Sequence, residues 1–115
     1  MDFSQDLVRG SIVPIILALL RERAMYGYEL VKIVNARTNG KLEWREGTLY
    51  PALHLLEARG LVRGAWADAP AQDAPGRKRK YYSLTHKGKA ELARRAEEWR
   101  QFSLAVNACL FGGAV

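Results

Sequence analysis

A single cysteine, Cys109, stands in 115 residues, so no disulfide forms within the chain and the sequence suits a reducing compartment. The two histidines, His54 and His86, fall on different expected elements and lack Cys or acidic partners at metal spacing. A metal site is therefore not expected, and no cofactor is. There is no phosphate-binding glycine loop, and Ser, His and Asp fall in no nucleophile motif, so an enzyme is not expected. The longest apolar run, residues 12–20, is too short to span a bilayer, and MDFSQDLVRG lacks the basic start of a signal peptide. No internal repeat is present. These gaps lead to the expectation of a soluble cytoplasmic protein with no membrane contact.

What the chain has is ordinary globular composition with a basic bias. Hydrophobic residues make up 49% and charged residues 26%, which argues against wholesale disorder. Eighteen Lys+Arg against 12 Asp+Glu leave a formal charge of +6, a weak pointer to nucleic acid or another anionic surface.

Periodicity supplies the elements. SIVPIILALLRER reads as a helix apolar almost all round, with Ser11 as cap, Pro14 in its first turn, and a looser turn over residues 4–10. YGYELVKIVNARTNG follows with Leu30, Ile33 and Val34 inward, Lys32 and Asn35 outward, and Gly40 closing it. KLEW is a short extended connector. EGTLYPALHLLEARG is a third helix, with Leu49, Ala52, Leu53 and Leu56 inward and Gly60 at its end. LVRGAWA and RKRKYYSL alternate as two strands around the Pro-rich patch ADAPAQDAPG. Tyr82 shares a face with Leu84 and belongs to the core, Tyr81 points the other way, and Trp66 reads as wing packing. Thr85 then caps a helix of more than twenty residues. Leu92, Trp99 and Val106 recur every seven positions, with Ala96, Ser103 and Leu110 as companions, a seam for a partner helix.

The fold class is thus mainly α with a small β-hairpin: a winged helix-turn-helix over residues 1–84 and a long C-terminal dimerisation helix with a short tail over 85–115. In such a unit the second helix of the motif, here residues 47–59, enters the major groove. Its outer side shows Pro51, His54, Leu55 and Ala58, flanked by Thr48 and Tyr50, and is nearly free of charge. Thr48, Tyr50 and His54 can bond phosphates or bases, and Pro51 can touch a thymine methyl. Tyr28 and Lys32 join the DNA-facing set from the preceding helix. GRKRKYY adds Arg77, Lys78, Arg79, Lys80 and Tyr81 on the wing, where cations supply non-specific attraction to duplex DNA. Four cations in isolation are most often a solvated run, and Asp68 and Asp73 weigh mildly on that side.

MYGYELVKIV, EGTLYPALHLLEARGLV and GRKRKYYSLTHKG resemble the PadR-like transcriptional regulators over roughly residues 7 to 110. The resemblance implies a homodimeric winged-helix repressor that binds a palindromic operator. It also implies the short branch of the family, in which the last helix crosses to the partner subunit. In its multidrug-sensing members a tryptophan on that helix faces its symmetry mate across a pore that takes planar aromatic compounds. Trp99 matches that place, with Ala96, Ser103 and Leu17 or its neighbours as walls; simple packing of the dimer interface by Trp99 is the competing reading. Leu92, Trp99, Val106 and Leu110 would form the interface. Two positions depart from the pattern. Leu55 stands where a basic residue is common, and Arg45 stands where Ser or Asn often caps the helix, so that either Thr48 caps it later or its first turn is irregular. The rivals to a ligand-responsive regulator are an aromatic-drug sensor with a secondary DNA response and a protein-interaction winged helix with little or no DNA binding.

Overall fold

Ser4, rather than Ser11, begins the first helix. In the computed structural model, which describes residues 2–70, 72 and 76–112, helix α1 spans Gln5–Glu22 and the Ser4 side chain accepts from the Leu7 amide. Ser11 lies inside α1 and donates its hydroxyl to the Val8 carbonyl. Starting earlier brings Val8 against the core, and it moves Pro14 from the first turn to the helix interior. The bond that Pro14 cannot make would run to the carbonyl of Gly10, four residues back.

Strand β1 is only Met25–Tyr26, yet it turns the expected hairpin into a three-stranded antiparallel sheet of order β1-β3-β2, with β2 at Val62–Asp68 and β3 at Lys78–Leu84. Met25 pairs with Tyr82 and Tyr26 with Tyr81. KLEW forms no strand. Leu42 packs against the core and Trp44 is buried in it, with no hydrogen-bond partner for its indole Nε1 among the described residues. The loop end of the wing is closed by the Ala69 amide donating to the Arg77 carbonyl at 2.8 Å. Asp73 and Pro75 of the expected loop, and residues 113–115 of the expected tail, lie outside the described residues.

Helix α2 spans Gly27–Arg37, and its end is tied to the end of α1 by a two-pronged Arg37–Glu22 pair at 2.6 and 2.7 Å. Helix α3 spans Glu46–Ala58. Arg45 holds the cap position without a side-chain bond; its carbonyl accepts from both Thr48 and Leu49. Thr48 is therefore not the cap, and the first turn is regular. Gly60, at φ 74°, makes the left-handed turn that ends α3 and sends the chain into β2. Helix α4 runs from His86 to Phe111. Its cap, Thr85, accepts from the Gly88 amide and donates to the Gly60 carbonyl at 2.7 Å, so the start of α4 is fastened to the end of α3.

One core joins these pieces. Ile16, Leu17, Leu30, Leu49, Leu53 and Leu56 are fully buried, with Tyr82 of β3 and Leu92 of α4 closing it. Truncating one such leucine to alanine costs about 2–5 kcal/mol. Leu92 corrects an expectation. Assigned to a seam between subunits, it is only 5% exposed within its own chain, because α4 first packs on α1 before running past it.

Candidate nucleic-acid interface

The site is built from α3 and the wing. The inward leucines of α3 fall at helical spacing and anchor it, which turns the opposite side outward. There Pro51, His54 and Leu55 are exposed and Thr48 is half-buried. Tyr50 is half-buried as well. Its ring leans on α2 at Gly27, where a Cβ would come within 2.6 Å of the Tyr50 hydroxyl, so any larger residue at 27 would push the ring away. Tyr28 and Lys32 are exposed on α2, the ammonium 5.3 Å from the Tyr28 ring.

The run of four cations divides. Arg77 and Lys78 are exposed. Arg79 lies over the ring of Tyr26 at 4.2 Å, and Tyr26 meets Tyr81 edge-to-face at 5.6 Å. Tyr81, expected to point at DNA, is thus half-buried in a stacked group on the outer face of the sheet. Lys80 turns the other way and reaches Glu57 of α3 at 3.0 Å, while the second Glu57 oxygen accepts from the Gly64 amide at 3.3 Å. The ammonium beside it holds the Glu57 carboxyl below its ordinary range, and the carboxylate holds Lys80 above its own. Glu57 therefore clasps the wing to α3 from the far side of the cleft. Tyr82, packed beneath, has its hydroxyl pushed up by burial.

Between α3 and the wing lies a cleft of about 350 Å³, with Tyr50 and His54 on one wall and Trp66, Lys78 and Lys80 on the other. Trp66, expected to pack the wing, is exposed there. Periodicity put it on the correct face of β2, but that face is covered only as far as α3 reaches.

At the other end, an open groove of about 520 Å³ runs between α1 and α4. Trp99 and Ala96 line it, as does Leu92 at its floor. Leu17 does not. It is fully buried, and the α1 wall near it includes its neighbours Pro14, Ile15 and Ala18. Ser103 and Val106 are half-buried on α4 and Leu110 is 70% exposed. No cluster of three or more His, Cys, Asp or Glu that could hold a metal occurs among the described residues, and none of their helices is long and apolar enough to cross a membrane.

A helix-turn-helix with a three-stranded wing and a trailing helix is an arrangement of DNA-binding regulators. The model of the transcriptional regulator PadR-like family matches residues 16–94. The chain belongs to that family. An uncharacterized protein of Lysinibacillus sphaericus is 34% identical over 107 residues, which are 93% of this chain and 94% of that protein. Among solved structures, a transcriptional regulator from Clostridium thermocellum shares 30% identity and superposes with a TM-score of 0.83, covering 94% of this chain and 98% of its own. A PadR family transcription regulator from Clostridium difficile shares 33% identity at a TM-score of 0.71, covering 88% and 99%. This PadR-like chain is accordingly a transcriptional regulator and not an enzyme.

Sequence reasoning missed three members of the site and its supports. Glu57 stands within the motifs that carry the family resemblance, but its link to Lys80 left no local signal, because the two lie 23 residues apart on different elements. The pairing of Tyr26 with Tyr81 depends on a two-residue strand too short to register as a period. Trp66 was visible as a strand residue, but its exposure depends on where α3 ends.

Proposed function

We propose that this PadR-like regulator is a homodimer that binds a palindromic DNA operator and represses transcription until a planar aromatic effector releases it. The observation that carries the DNA reading is the pairing of surfaces at one end of the chain. A nearly uncharged α3 face, with Pro51, His54 and Leu55 exposed and Thr48 half-buried, stands beside a wing whose Arg77 and Lys78 are exposed. Base edges are read by short polar and apolar groups, whereas phosphates are held by cations. Tyr28 and Lys32 extend the phosphate-holding surface from α2, and Tyr50 supports the ring of His54 at 6.5 Å. Arg79, Lys80 and Tyr81 act behind this front, fixing the angle between wing and helix. Leu55 suits an apolar base contact such as a thymine methyl. Residues 1–84 form the DNA-binding unit, and 85–115 the dimerisation helix and a short tail.

For the dimer, the supporting observation is the set of exposed apolar side chains on the outer half of α4: Trp99, Phe102, Leu104, Leu110 and Phe111. Large apolar side chains left exposed in this number on one helix suit an association surface. The effector reading rests on Trp99, whose indole stands at the apolar groove with Ala96 and α1; Ser103 would border the bound ring.

Mobility-shift titration against the DNA upstream of its own gene, beside random duplex across a salt series, tests the proposal. Preference for the upstream DNA is expected. Equal affinity for both at every salt concentration would leave a protein-interaction module as the better reading.

A further inference from the structure

Trp66 is 67% exposed in the middle of β2, although seven cross-strand pairs hold its backbone rigid. Side chains alternate along a strand, so its indole shares a face with Lys78, Lys80 and Tyr82, the face that turns to α3. Lys80, directly opposite, could have covered the ring, but its ammonium is drawn to Glu57. The ring therefore stands bare at the mouth of the cleft, across from His54. It adds little to the core of its own chain. Arg77 and Lys78 stand exposed nearby against the exposed carboxylate of Asp68, which faces Lys78 across the strands; that excess of cations fits a polyanion and not an apolar copy of the chain.

We propose that Trp66 is a DNA-contact residue, its indole lying against the deoxyribose of the strand whose phosphates Arg77 and Lys78 hold. This rests on the reading of the chain as a duplex-DNA binder. A deoxyribose presents an apolar face between two charged groups, and a flat ring covers it without displacing a counterion. Trp66 thereby contributes affinity that salt does not screen, beside cations whose contribution salt does screen.

Duplex titrations of Trp66→Ala and Trp66→Phe across a salt series, with thermal melting of each variant, test it. Trp66→Ala should bind every duplex about tenfold or more weakly, the size of an aromatic contact to nucleic acid. Its melting temperature and the slope of log affinity against log salt should stay those of the unaltered protein. Trp66→Phe should recover most of the loss. Duplex should also shield an indole from acrylamide in the unaltered protein, and that shielding should be absent from Trp66→Phe. Unchanged affinity in Trp66→Ala, a reduced salt slope, or a loss traced to a changed oligomeric state would overturn the assignment while leaving DNA binding intact. If the unaltered protein holds no duplex at any salt concentration, the DNA reading itself fails and the assignment with it.

Discussion

At the wing, the exposed charged side chains are mostly cations, Arg63, Arg77 and Lys78 against Asp68, around one bare indole; along the outer half of α4, the large exposed side chains are mostly apolar, and the charges from Glu91 to Arg100 are matched within the helix. Glu91 takes both Arg94 and Arg95, Arg94 also approaches Glu98, and Arg100 pairs with Glu97. The same chain thus carries one surface with excess positive charge and one with almost none to spare. Long-range attraction suits a polyanion met from solution, whereas neutral apolar surface suits a partner whose contact excludes water. The difference teaches that the net charge of +6 is not spread evenly, and that its location, more than its size, carries the functional meaning.

The most severe way to break the contrast is to put charge on the apolar surface. Phe102→Glu with Leu110→Glu should weaken self-association by about a hundredfold or more, read by sedimentation at falling protein concentration, since central apolar residues dominate such interfaces. Operator binding should fall with it, because two half-sites would no longer be held together. A dimer of unchanged strength would show that another surface joins the subunits.

Removing charge from the other end comes next. Arg77→Ala with Lys78→Ala should lower affinity for all duplexes between about tenfold and a hundredfold near 0.1 M salt and reduce the salt slope by about 2. Thr48→Ala or His54→Ala should instead change which sequences are preferred, by about 1–3 kcal/mol at the affected base pair. Base preference altered by the wing pair alone would reverse this division.

A smaller effect is expected where the apolar end would take a ligand. Trp99→Phe should weaken saturable binding of planar aromatic compounds by several-fold to about tenfold, followed by calorimetry, because the larger ring stacks better. Equal binding by both proteins would reduce Trp99 to interface packing.

The smallest concerns the matched charges of α4. Hydrogen bonds from Arg94 and then Arg95 hold the Glu91 carboxyl down to about 2. A carboxyl lowered in the folded state adds stability above its unfolded value, near 4.5, and loses it as pH falls toward 2. Glu91→Gln should therefore flatten the acid limb of a melting-temperature profile between about pH 4.5 and 2 and change little near neutrality. Arg94 is exposed and Arg95 half-buried, so solvent screens much of the interaction and keeps the change small. An unchanged acid limb would remove Glu91 from the account.

Much of this was legible in the chain. The spacing of Leu49, Leu53 and Leu56 gave α3 and its inward face, Thr85 gave the start of α4, and Gly60 gave the turn into the wing. The motif set led to the PadR-like family. What went wrong did so where two local signals were equivalent or where contact was distant. Ser4 and Ser11 offer the same hydroxyl, and only the packing of Val8 selects Ser4. Leu92 fits a seam by period and Leu17 a pore wall by the family resemblance, yet both are buried within one chain.

By itself, then, the sequence determined the order of helices and strands, the faces they bury and the family, because these depend on periods and caps a few residues long. Only the tertiary structure decided which of four consecutive cations reach solvent, which tryptophan is sheltered and which is bare, and how the wing is clasped to α3. Those outcomes depend on side chains brought together from positions far apart in the chain, and no local pattern records that distance.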